Sequence, residues 1–128
     1  MSKLAEMTAC QLKALLYRKE TSCVEIMHSV LGEIRAREKD IHAFITIRDE
    51  ADLLQDAEAV DTRRQRGETI GPLAGLPIAI KDSIITKGLR TTAGSRMLEN
   101  FIPPYDATVI RKIREADGII LGKTNLDE

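Results

Sequence analysis

Two cysteines, two histidines and almost no imbalance of charge leave this 128-residue chain little material for several kinds of chemistry. Cys10 and Cys23 stand apart in the sequence with no Cys/His cluster beside them, a spacing that suits neither a zinc site nor a secreted disulfide framework. Both are expected to be reduced packing residues, since a free cysteine behaves as a small buried hydrophobe. A formal net charge of −1 and a pI of about 6.2 supply no electrostatic case for nucleic-acid binding through this chain. No apolar run approaches the roughly 18 residues of a membrane span, and the opening "MSKLAEMTAC" contains no signal-peptide core. A cytoplasmic location with no membrane partner is the expectation. Also missing are a GxSxG turn, a P-loop, a GxGxxG fingerprint, an internal repeat and any low-complexity segment.

What is present is ordinary globular material, 43% hydrophobic and 30% charged, of a size typical of one domain. Residues 1–70 read as helical. Thr8 with Gln11 and Ser22 with Glu25 have the capping-box spacing, in which side chains satisfy the unpaired N–H groups of a first helical turn. Leu12, Leu15 and Leu16 follow the first cap, and Ile26, Met27, Val30, Leu31 and Ile34 follow the second, both at helical spacing. The second helix closes on the basic residues Arg35, Arg37 and Lys39. "IHAFITI", residues 41–47, alternates and reads as extended. A third helix from Asp49 carries Ala51, Leu54, Ala57 and Val60 and stops at Gly67 behind Arg63, Arg64 and Arg66. Those arginines read as a solvated helix end, with a phosphate-binding patch as the alternative.

Residues 71–128 read as α/β. "GPLAGLP" is a constrained loop, and Leu76–Ile80 reads as a strand. Asp106 is placed as the cap of a helix carrying Val109, Ile110 and Ile113, and "IILG" as a short buried strand. Strand, helix and apolar strand suggest parallel pairing. Both strands are apolar enough to expect cover on each face, with the covering elements placed later in the chain.

The chemistry of the chain turns on "GPLAGLPIAIKDSI", where an apolar strand ends on Lys81 and Asp82. Strand alternation puts Ile78, Ile80 and Asp82 on one face and Pro77, Ala79 and Lys81 on the other, so Lys81 and Asp82 do not pair with each other. A lysine serves as a general base only when neutral; bringing the ordinary value of about 10.4 down by about three units takes about 4 kcal/mol of differential interaction. Desolvation at a strand end can supply that. From the residues alone, a structural lysine that snorkels to water is the other reading of Lys81. His28 and His42 have no catalytic partner or ligand set in view and read as structural. Of Ser2, Ser22, Ser29, Ser83 and Ser95, only Ser95 in "TTAGSR" adjoins a glycine. Lys123, after "IILG", reads as a solvated strand-end lysine, with phosphate binding as the alternative.

"PIAIKD", "TTAGS", "YDAT" and "GKTN", in this order and spacing, resemble the amidase signature family, and in particular its tRNA-dependent amidotransferase branch. The resemblance runs along the whole chain and is most specific from Gly71 to Glu128. It implies an α/β fold, the N-terminal portion of a mixed central β-sheet covered by helices, with the chain matching about the first quarter of a member. It also implies that Lys81 is the catalytic base of a Ser–cis-Ser–Lys triad. The family's Gly/Ser-rich signature, which carries both serines and the oxyanion donors, falls after Glu128, so these residues by themselves are expected to be inactive.

The implied reaction is hydrolysis of glutamine through an acyl-enzyme, with ammonia passed to a partner B subunit that uses ATP and Mg²⁺ to amidate glutamyl-tRNA(Gln). A small C subunit completes the assembly. The resemblance assigns no cofactor and no metal to this chain. Ser83 stands where the tRNA-dependent branch commonly has asparagine, "AGS" where it has "CAS", and Asp117 where alanine is usual before the glycine. A stand-alone amidase acting on small amides, or a non-catalytic fragment, are the alternatives.

Overall fold

The structure is a computed structural model that describes residues 4–126; Ser2 lies outside them. A short 3₁₀ turn at Leu4–Glu6 precedes α1, Ala9–Tyr17. The expected capping box at its start is formed in full. Thr8 Oγ1 accepts from the Gln11 N–H at 3.2 Å, and Gln11 Oε1 accepts from the Thr8 N–H at 2.9 Å.

Helix α2, Cys23–Ile41, begins at Ser22, whose hydroxyl accepts from the Glu25 N–H at 3.1 Å. Asp61 from the next helix adds a second cap, accepting from the N–H groups of Cys23 and Val24 at 2.8 and 3.1 Å. A carboxylate at that position suits the unpaired donors and the positive end of the helix dipole. At its other end α2 continues through Ile41, and His42 closes it in a left-handed conformation (φ 55°). The extended segment is therefore shorter than the alternation of residues 41–47 suggests: β1 is Phe44–Ile47. The cause is Glu38, whose carboxylate accepts from the N–H groups of Ala43 and Phe44 at 2.8 and 2.6 Å. These bonds turn the chain directly out of the helix.

Helix α3, Glu50–Gln65, starts at the Asp49 cap and buries Leu53, Ala57 and Val60. Strand β2 is Pro77–Lys81, helix α4 is Thr108–Glu115, and β3 is Ile119–Thr124. The sheet order is β1-β3-β2, with β2 parallel to β3 and β1 antiparallel to it. The α/β architecture and the parallel pairing are as the sequence suggests.

Helices cover this sheet on both faces. On one, Ile119 and Leu121 pack with Leu12, Leu16, Ile26, Met27, Leu31, Leu53 and Ala57 from α1 to α3. On the other, Ile80 and Ile120 pack with Ile110 of α4 and the partly buried Ile84, Leu89 and Ile113. The expectation that cover for β2 and β3 lies later in the chain is corrected to that extent. Exposed large apolar side chains occur at Tyr17, Ile41 and Ile47, and six more fall between Met97 and Val109: Met97, Leu98, Phe101, Ile102, Tyr105 and Val109.

Three further expectations change for reasons of tertiary contact. Asp106 does not cap α4: the cap position is Ala107, with no side-chain bond. The Asp106 carboxylate instead accepts from the Lys87 N–H at 2.6 Å and from Arg114 Nε at 3.0 Å, tying the loop after β2 to α4. Arg63 and Arg64 are not a solvated helix end. Arg63 donates to both oxygens of Asp117 and to the Thr69 carbonyl, while Arg64 reaches the Ala74 carbonyl. Finally, Cys10 is exposed, so only Cys23 is a packing residue. Burial, reinforced by the neighbouring Asp61, pushes the Cys23 thiol up to about 12.

Candidate active site

The alternation of β2 distributes Lys81 and Asp82 as the sequence implies. Lys81 and Ala79 are exposed, whereas Ile80 is buried and Asp82 has no exposed surface. β2 is an edge strand of the sheet, and the helices that cover the sheet leave Ala79 and Lys81 exposed at its end. Ser83 is also exposed, in the turn closed by the bond from the Ile84 N–H to the Lys81 carbonyl at 3.0 Å.

Asp82 joins the end of β2 to the "TTAGS" loop. Its N–H donates to the Thr124 carbonyl at 3.0 Å, and its carbonyl accepts from the Ala93 N–H at 3.0 Å. Its Oδ2 accepts from the Thr92 N–H at 3.1 Å and from the Thr92 hydroxyl. Ala93 and Gly94 then turn in successive left-handed conformations (φ 52° and 70°). Ser95 caps the 3₁₀ turn at Arg96–Leu98, its hydroxyl oxygen accepting from the Met97 N–H at 3.2 Å. An open depression of about 320 Å³ borders this loop and is lined in part by Arg90, Thr92, Ser95 and Asn125. A slightly larger one of about 370 Å³ lies between Glu20, Thr21, Asp61 and Arg64. We place the candidate site at the first, because it adjoins the loop that Asp82 ties to Lys81.

The lysine in a dry place is Lys123. It is fully buried, which corrects its reading as a solvated strand-end residue. Its ammonium donates to the Ile84 carbonyl at 2.6 Å and to Thr91 Oγ1 at 2.9 Å, and it stands 3.6 Å from Asp82 Oδ1. Desolvation pushes its pKa below the ordinary lysine value, and the Asp82 charge opposes that shift.

A bulge explains how a strand of buried apolar residues turns a lysine toward this cluster. Ile78 pairs with Ile120, but Ala79 pairs with Gly122, so Leu121 is an extra residue in β3. One extra residue reverses the alternation beyond it. Lys123 thereby becomes the register partner of Ile80, on the face of Ile120 and α4. The glycine inside "IILGKT" is the sequence signal for such a bulge. Gly122 is also required sterically, since a Cβ there would lie 2.4 Å from the Thr46 carbonyl oxygen of β1.

The other candidates take structural places. His28 is exposed on α2, and His42 is the left-handed cap residue. Among the described residues no group of three or more His, Cys, Asp and Glu side chains is arranged to hold a metal ion, and no helix is long and apolar enough to cross a membrane.

Comparisons with known proteins bear on the family and the fold. The family model described as Amidase matches residues 25–128. The A subunit of the glutamyl-tRNA(Gln) amidotransferase of Heliobacterium modesticaldum is 50% identical over 127 residues, covering 98% of this chain and 26% of that protein. Its counterpart from Moorella thermoacetica is 48% identical over 126 residues, with the same coverage. Among solved structures, the native peptide amidase of Stenotrophomonas maltophilia superposes with a TM-score of 0.87 at 34% identity, over 97% of this chain and 26% of that one. A bacterial aryl acylamidase of the amidase signature family gives 0.87 at 26% identity, again over 97% and 26%. The chain thus spans about a quarter of the length of the relatives it matches. On the family match, on curated relatives that align along the whole chain and on the shared fold, the chain belongs to the amidase signature family.

Proposed function

We propose that this segment is the N-terminal part of the glutaminase component of a glutamyl-tRNA(Gln) amidotransferase, and that Lys81 is its catalytic base. The observation that carries the reading is the placement of Lys81, exposed at the end of an edge strand, with the next residue tied into the "TTAGS" loop. Identity along the whole chain to curated proteins that bear this amidotransferase's name supports the choice of reaction. Neutral Lys81 accepts the proton of the cis-serine, which accepts that of the nucleophilic serine. The serine oxygen then bonds to the side-chain amide carbon of glutamine and the C–N bond breaks. The nitrogen leaves as ammonia with the returned proton, and water releases glutamate from the acyl-enzyme.

The ammonia goes to the B subunit, where ATP and Mg²⁺ drive amidation of glutamyl-tRNA(Gln) to glutaminyl-tRNA(Gln). The C subunit completes a cytoplasmic heterotrimer. The whole is a carbon–nitrogen ligase with glutamine as amido donor, and this chain itself holds no cofactor. A second reading, a stand-alone amidase for small amides, draws support from the likeness to the peptide amidase. Copurification separates the two: B and C subunits accompany the first, and a self-sufficient homo-oligomer the second.

The test of Lys81 uses the full-length protein. Lys81→Ala is expected to abolish amide hydrolysis while leaving the fold and the thermal midpoint in place. Lys81→Arg should be nearly as damaging, because a guanidinium does not deprotonate near neutral pH. Activity within a few-fold of wild type in either variant removes Lys81 from the mechanism.

A further inference from the structure

Lys123 and Asp82 are buried ionisable groups that the reaction itself does not use. Burying an ammonium and a carboxylate is costly, and removing one partner strands the other's charge. Such a pair is weak evidence for stability alone, so what its geometry holds in place is the informative point. From β3, the Lys123 ammonium bonds the Ile84 carbonyl, three residues beyond Lys81, and the Thr91 hydroxyl at the start of the "TTAGS" loop. Asp82, next to Lys81, holds Thr92 by backbone and side chain. Its remaining oxygen, Oδ1, has no hydrogen bond and faces the ammonium at 3.6 Å. Three chain segments, 81–84, 91–93 and 122–124, thus meet at one ion pair.

We propose that Lys123 and Asp82 are positioning residues, a buried brace that fixes the backbone of Lys81 and locks the "TTAGS" loop against it. This inference rests on the reading of Lys81 as the base. A base acts only within hydrogen-bond reach of the proton it takes, and misplacement by about 1 Å can cost about 100-fold in rate. The bulge at Leu121–Gly122 is the device that turns Lys123 into this role.

The experiment measures kcat and KM of the full-length protein, on glutamine or whichever small amide it turns over. Lys81→Ala, Lys123→Met and Thr91→Val are compared below each variant's unfolding transition, with the folded fraction measured by circular dichroism. Lys123→Met is expected to lower kcat per folded molecule by about 100-fold with KM nearly unchanged. Thr91→Val removes one partner of the ammonium and no charge, so it decides the matter if Lys123→Met does not fold. It should lower kcat by about tenfold, again with little change in KM.

Wild-type kcat per folded molecule in Thr91→Val and in any folded Lys123→Met, beside an inactive Lys81→Ala, assigns the pair to stability alone and overturns the inference. A loss confined to KM also overturns it. An active Lys81→Ala overturns the reading of Lys81, and the inference with it.

Discussion

Asp117 holds a left-handed backbone, φ 66°, which aspartate tolerates better than most side chains. Its carboxylate explains why aspartate stands there. It takes both guanidinium nitrogens of Arg63 at 2.9 and 3.3 Å, and the Gly71 N–H at 2.6 Å. One residue thereby joins the end of α3, the turn after α4 and the loop that leads into β2. The Arg63 hydrogen bonds hold its pKa below the ordinary carboxylate value, against a smaller opposing effect of burial. A group whose folded pKa is depressed adds stability above its unfolded value, about 3.9, and loses it as pH falls toward the folded value. The thermal midpoint is therefore expected to fall more steeply below about pH 4 in the wild-type chain than in Asp117→Asn, which is less stable near neutrality. Midpoints measured from pH 6 to 2 check this, and parallel curves would count against it.

At the scale of elements, β3 organises the site because it pairs on both sides and changes its alternation midway. The register slips against both neighbours: at Leu121 facing β2, and between Phe44 and Thr46 of β1. Gly122 adjoins the first irregularity and pairs with Ile47 just before the second. A methyl at that position meets the Thr46 carbonyl at 2.4 Å and the Ile47 Cα at 2.9 Å, both backbone atoms that cannot rotate aside. Gly122→Ala is thus expected to cost about 2–3 kcal/mol by forcing β1 away from β3. Hydrogen exchange should show protection lost first at β1, since the bond from the Arg48 N–H to the Leu121 carbonyl and the pairing of Thr46 with Lys123 both depend on close approach. Unchanged protection in β1, with the loss placed in α4, would contradict that account. The bulge was readable only as a glycine in an apolar strand; which residue it made extra depends on how two other strands approach.

For the molecule as a whole, the exposed surface is the informative part. Helices cover the sheet on both faces, yet six apolar residues between Met97 and Val109 remain at the surface, Met97 at 94% and Ile102 and Tyr105 each at 60%. Apolar side chains exposed together along one short stretch of chain suit contact with other protein. The 128-residue chain alone is expected to bind a hydrophobic dye in its folded state and to associate at high concentration. A clean monomer that does not enhance dye fluorescence disproves this. The same chain is expected to release no ammonia from glutamine above background, because triad enzymes lose most of their rate when any of the parts is removed. Ammonia release that vanishes on Lys81→Ala would mean that Ser83 or Ser95 is a nucleophile.

The local features were settled by sequence alone, because they depend on neighbours three or four residues away. They include the Thr8–Gln11 box, the apolar stripe of α2, the stop at Gly67, and the opposition of Lys81 and Asp82 across one strand, whereas the stripe of α3 is shifted, with Leu53 buried and Ala51 exposed. Other features follow from partners far along the chain. Asp106 serves Lys87, 19 residues back, rather than the first turn of the helix it precedes, and Arg63 meets a carboxylate 54 residues away. Lys123 shows the difference most clearly. Strand alternation follows from two backbone angles per residue, but a single unpaired residue reverses it. Only the approach of β1 and β2 to β3 decided that the reversal falls at Leu121 and carries the ammonium into the interior beside Asp82.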